Sequence, residues 1–127
     1  MSKGNISLLT LTVIATAAVV NNRFVTTAGA HAATAGALPL GVTRSDGVSG
    51  DPIPVDVLGT AVVEAGAAIA VDATIMVTTD GKALTHDGDG DKHAVGRALE
   101  AAGAAGDLVE ILLVPSAGLI VAAAAVP

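Results

Sequence analysis

Two corners of the same make punctuate the chain, Ser49-Gly50-Asp51 and Ala105-Gly106-Asp107, and each feeds an aliphatic run that ends at Leu58 or Val114. Glycine takes a positive φ without steric cost and aspartate bonds back to the turn backbone, so each corner fixes where its strand begins. The β-branched residues and leucines that follow suit a pleated, mostly buried ladder. Ahead of each corner stands a shorter apolar piece with a glycine, Leu40-Gly41-Val42 and Val95-Gly96-Arg97. Further back lie Val25-Thr26-Thr27-Ala28-Gly29 and Val77-Thr78-Thr79-Asp80-Gly81. Positions 25 and 77, 41 and 96, and 51 and 107 are separated by 52, 55 and 56 residues. Loop insertions account for such drift, and the order reads as two copies of one β unit, about 15–58 and 67–114. The competing account is accidental self-similarity in a chain rich in Ala, Gly, Val and Thr; the ordered spacing favours duplication.

The remaining segments fill in the same picture. Residues 1–7 read as a polar arm and 8–14 as a strand, with Leu9, Leu11 and Val13 alternating with threonines. Strands are expected at Arg23–Thr27, Ile53–Glu64, Ile69–Val71, Thr74–Thr79, Ala94–Leu99 and Asp107–Val114. Gly59 marks a bulge in the longest of these, with Val55 and Val57 facing one layer before Val62 re-aims. Pro52 and Pro54 place the start of that strand on an exposed edge. Asp80-Gly81 followed by Lys82-Ala83-Leu84 is a hairpin signal. Glu100–Ala105 admits a helical turn between glycines. Pro115 and Gly118 end the last strand, leaving 115–127 as an apolar tail in which Leu119, Ile120 and Val121 need something to pack on. Short strands with glycine-rich turns predict an all-β fold, a small barrel or sandwich of two similar units with extended N- and C-terminal arms.

Composition narrows the function. At 127 residues the chain fits one domain, 8–114 between the two arms. Hydrophobic residues make up 52% of it, yet Phe24 is the only aromatic, so the core is filled by Val, Ile, Leu and Ala. Each such side chain buries little area, at about 25 cal/mol per Å², and a thin core of this kind gains from a partner subunit. The net charge of −6 and the scattered basic residues leave no stripe for phosphates, and one phenylalanine makes no platform for base stacking, so nucleic acid is not an expected partner. Without cysteine there is no thiolate nucleophile and no disulfide. The N-terminal run after Lys3 has the outline of a secretory signal, but Thr10, Thr12 and Thr16 interrupt it in a strand-like alternation; a cleaved leader and a membrane span are both disfavoured.

Asp87-Gly88-Asp89-Gly90-Asp91 is the one ligand-like motif, since carboxylates at positions 1, 3 and 5 open a calcium loop. The sixth position is Lys92 where glycine is required, and the twelfth is Ala98 where a bidentate glutamate is required. A solvated acidic hairpin tip is the favoured reading, with Asp87, Asp89 and Asp91 as the alternative metal ligands of an extracellular calcium-binding β module. His86 and His93 flank these aspartates, and with His31 they are the only imidazoles. No serine elbow, no phosphate loop and no paired carboxylates stand out, so no enzyme and no cofactor is expected. An enzyme-associated β domain would need a concave polar pocket, for which the sequence supplies no evident residues.

The ordered set Leu11-Thr12-Val13, Asn22-Arg23-Phe24-Val25, Leu40-Gly41-Val42, Val55-Asp56-Val57-Leu58-Gly59, Glu64-Ala65-Gly66-Ala67-Ala68-Ile69, Gly96-Arg97-Ala98-Leu99-Glu100-Ala101-Ala102 and Ala105-Gly106-Asp107 resembles the capsid cement, or head-decoration, proteins of tailed bacteriophages and prophages. The resemblance covers about residues 8–114. It implies a small β-tulip-like protein, a homotrimer, on the outer surface of an icosahedral head assembled in the bacterial cytoplasm, where it clamps neighbouring major capsid protein subunits. Asp72 follows Val71 where relatives tend to have Gly-Asp, which puts that turn in doubt. Under this reading residues 2–12 extend onto the capsid, with Ser2, Lys3, Asn5, Ile6, Leu8, Leu9 and Leu11 as contacts, and Leu119, Ile120 and Val121 serve oligomer or tail packing.

Overall fold

A computed structural model describes residues 5–114. Within them the chain forms eight strands and no helix: β1 (Ser7–Ile14), β2 (Phe24–Val25), β3 (Gly41–Thr43), β4 (Pro52–Glu64), β5 (Thr74–Val77), β6 (Ala83–Thr85), β7 (Gly96–Ala98) and β8 (Leu108–Leu113). All pairings between these strands are antiparallel, and they run in the order β2-β3-β4-β8-β7-β5-β6, with β1 laid along β4 off that path. The two ends of the path nearly meet. The Phe24 N–H donates to Gly81 O at 2.7 Å and the Gly36 N–H to Val77 O at 2.9 Å, which draws β2 against the β5–β6 hairpin and leaves an almost closed small barrel.

β4 is the strand on which the sheet turns. Its first half pairs with β1 over Pro52–Gly59 and with β3 at Val55 and Asp56; its second half pairs with β8 over Thr60–Glu64. Between the halves Gly59 adopts φ 102, and the β1 register slips opposite it. A Cβ here would lie 2.2 Å from Ile6 O, so the bulge requires glycine twice over. On either side of the bend the odd positions point inward: Ile53 and Val55 enter a smaller cluster with Ala15, Val19 and Val25, whereas Ala61 and Val63 enter the larger one around Phe24. The inward residues after the bulge are therefore Ala61 and Val63, not Val62.

Other sequence expectations are corrected in detail. Pro52 and Pro54 do not mark an exposed edge, because β1 lies opposite both of them and Pro54 O accepts the Arg44 N–H at 3.0 Å. A proline lacks only the donor, and its carbonyl still serves a neighbour. Ile69–Val71 is not a strand but a single bridge from Ile69 to Ala102. Glu100–Ala105 contains no helical turn, and the segments centred on β2, β5 and β7 are shorter than the apolar runs that announced them. The tail 115–127 lies outside the described residues.

The hydrogen-bond pattern of the first half recurs in the second. The Ala15 N–H reaches Asp51 O at 2.8 Å, and the Ala65 N–H reaches Asp107 O at 2.8 Å. Val19 bridges to Gly47, and Ile69 to Ala102. Asn22 and Asp72 both take positive φ, 60 and 68, a region that Asn and Asp tolerate better than other side chains, and donate to Thr43 O and Ala98 O. Ala15, Val19, Val25, Ile53 and Val55 have counterparts in Ala65, Ile69, Ile75, Val109 and Ile111 of the larger cluster. The offset grows from 50 residues at Ala15 to 56 at Asp51, and Val25 matches Ile75 in pairing, since each lies opposite a glycine, Gly41 and Gly96.

Candidate functional site

β1 is the surface element of interest. Threonine and leucine alternate along it, which makes a strand, but among the described residues it pairs with β4 alone. Its apolar side chains remain in solvent: Leu8 is 71% exposed and Ile6, just ahead of it, 64%, with Leu9, Leu11 and Ile14 also exposed. An exposed edge with aliphatic side chains is a template for another chain.

A buried carboxylate holds this edge in place. Asp56, 1% exposed in mid-β4, accepts hydrogen bonds from Asn5 Nδ2 and Thr10 Oγ1 at 3.0 Å each, and lies 3.5 Å from Arg44 Nε. A buried charge is tolerable only when paired, and here its three partners come from the arm, β1 and the loop after β3. Ser7 Oγ lies 2.9 Å from Thr10 Oγ1, and the Ile6 N–H donates to Thr60 Oγ1 at 2.9 Å. Asn5 and Ile6 are thus fastened to the barrel. Leu8, Leu9 and Leu11 lie within this chain's own sheet rather than in a free arm; Ser2 and Lys3 lie outside the described residues.

Beside β1 is an open apolar groove of about 500 Å³. It sits where the partner of β4 changes from β3 to β8, with Val57 and Leu58 as its floor and Leu9, Leu38, Leu40 and Leu113 among its walls. Alternation in the sequence identified Leu9 and Leu11. It missed Asp56, although an acidic residue between Val55 and Val57 in a buried strand is itself a signal that donors converge on it.

The acidic loop is built differently from a cation site. Asp87 Oδ1 accepts the Asp89 N–H at 3.0 Å and Asp89 Oδ1 the Asp91 N–H at 2.9 Å, so these carboxylates shape turns. Lys92 Nζ bonds to Asp87, which lowers the carboxyl pKa and raises that of the ammonium. His86 bridges the loop base, with Nδ1 accepting the Gly88 N–H and Nε2 facing Lys92 O, both at 2.9 Å. Among the described residues no group of three or more acidic or imidazole side chains is placed to hold a metal. His31 is elsewhere, its Nε2 accepting the Val20 N–H at 2.9 Å.

A family model described as phage cement protein matches residues 1–113. Among solved structures, the chain is similar to the head fiber gp8.5 N base in bacteriophage phi29, at 26% identity and a TM-score of 0.69, over 84% of this chain and 93% of that one. No curated protein matches.

Proposed function

The chain belongs to the phage cement protein family, and from that premise we propose that it binds the outer surface of an icosahedral head and cements neighbouring major capsid protein subunits. As a family member it is a structural protein of the phage capsid. The observation that carries the finer reading is the unpaired apolar edge at Ile6–Leu11, anchored by Asp56 and presented to solvent. Such an edge offers backbone groups and leucine side chains to a capsid strand or groove, the recognition mode of strand addition.

Cementing is a linkage effect. A protein that contacts two adjacent subunits at once binds the assembled shell better than the separated subunits, and stabilises the shell by that difference. A homotrimer would present three such edges, and their avidity would exceed that of any one contact. The thin aliphatic core, with Phe24 its single aromatic, supports a protein whose stability comes partly from assembly. We further propose that the two halves are copies of one unit, joined at the bend in β4.

The test is a pair of charge substitutions on the exposed edge, Ile6→Asp and Leu8→Asp, which leave the core untouched. Purified heads lacking the protein are incubated with each variant. Lost occupancy with an unchanged melting temperature is expected; full occupancy by both variants would overturn the assignment of β1 as the capsid-binding edge.

A further inference from the structure

Where each half begins, the chain has the same eight-residue pattern, Thr-Val-Ile-Ala-Thr-Ala-Ala-Val at 12–19 and Val-Val-Glu-Ala-Gly-Ala-Ala-Ile at 62–69. It occurs a third time as Leu-Ile-Val-Ala-Ala-Ala-Ala-Val at 119–126. In the first two copies the second, fourth and eighth positions turn inward: Val13 half-buried with Ala15 and Val19 buried, then Val63, Ala65 and Ile69 buried. The third position stays out of both core clusters, as Ile14 and Glu64. Ile120, Ala122 and Val126 stand at the inward positions of the third copy, and Val121 at the outward one.

The first two copies have a closing strand to pair with, since β1 lies on the first half of β4 and the second half of β4 lies on β8. The third copy follows β8, whose two sheet neighbours β4 and β7 are already in place, so among the described strands it has no such partner. Nor can it continue from β8 as β4 continues through its bend. Pro115 stands where Gly59 stands in the first half, and a proline ring holds φ near −65°, far from the 102 of Gly59.

The groove beside β1 supplies the missing surface. Leu113 and Val114 form part of its wall, so the chain leaves β8 at the groove itself. From Val114 to Leu119 is five residues, a reach of at most about 17 Å. We propose that the segment 119–126 of the same chain docks in this groove with Ile120, Ala122 and Val126 against it. A tether this short gives a local concentration in the millimolar range, above that of a separate molecule in solution at ordinary protein concentration. The docked segment covers Val57, Leu38 and Leu40 together with Leu9 and Leu11, and leaves Ile6 and Leu8 of the exposed edge in solvent. The inference does not rest on the capsid assignment, and each can fail without the other.

Matched substitutions test it in the full chain. Ile120→Asp and Val121→Asp place the same charge on adjacent aliphatic residues, and a chain ending at Val114 removes the segment. Several-fold higher binding of a hydrophobic dye and a lower melting temperature are expected for Ile120→Asp and for the truncated chain, with Val121→Asp close to the parent. Equal behaviour of the two aspartate variants, or a truncated chain indistinguishable from the parent, would overturn the proposal. The absence of cysteine permits a second arm, Leu38→Cys with Ala123→Cys and a short thiol crosslinker. A product within one chain supports docking in cis; a product only between chains, or none, contradicts it.

Discussion

At Asp56 a single side chain ties three separated segments together. Its partners Asn5 and Thr10 lie 51 and 46 residues away in sequence, so the local pattern can flag the carboxylate but cannot name what it binds. Replacing Asp56 with alanine leaves Asn5, Thr10 and Arg44 without their acceptor and is expected to cost about 1.5–3 kcal/mol, measured by denaturant unfolding. Amide exchange in β1 should rise with it. His31 carries a second prediction. Burial is the main cause that lowers its pKa from 6.5, the charge of Arg23 acts in the same direction, and Nε2 must be unprotonated to accept the Val20 N–H. The unfolded chain therefore binds the proton more readily than the fold. Stability is fully present above about pH 6.5 and is lost as pH falls below it. A melting temperature that declines from pH 7.5 to 5, with a shallower decline in His31→Gln, is the expected result.

Among the elements, β4 was the most legible in the sequence, because Pro52, Gly59 and Ala65-Gly66 punctuate a long β-branched run, expected at Ile53–Glu64 and observed at Pro52–Glu64. Its neighbours were harder to delimit. Val25 and Val77 look like equivalents by sequence, yet pairing equates Val25 with Ile75, since β5 runs two residues further than β2 before its turn. Periodicity also assigned β1 correctly as a strand, but it did not show that the strand belongs to the chain's own sheet; that depends on partners about 45 residues away. Gly59→Ala is the element-scale test. A left-handed φ costs a side chain about 1–2 kcal/mol, and the contact with Ile6 O adds to it, so destabilisation beyond 1 kcal/mol and loosening of β1 are expected. Unfolding midpoints and exchange of the Leu9–Val13 amides report both.

As a whole the molecule is a thin-cored, almost closed barrel whose two halves share hydrogen bonds, positive-φ turn residues and a set of five inward aliphatics. The turns and strands were legible in sequence because glycine and aspartate at turns and β-branched residues in strands act locally. The barrel closure between β2 and the β5–β6 hairpin was not legible, since it rests on backbone contacts, such as Phe24 with Gly81, between residues far apart in the sequence. What the shape does for a capsid is decided on the head. Electron microscopy of heads with and without the protein, at a resolution that traces strands, tests this most directly. The account predicts added density on the outer surface, joining adjacent capsid subunits through the Ile6–Leu11 edge. Density inside the shell, or resting on one subunit alone, would contradict it.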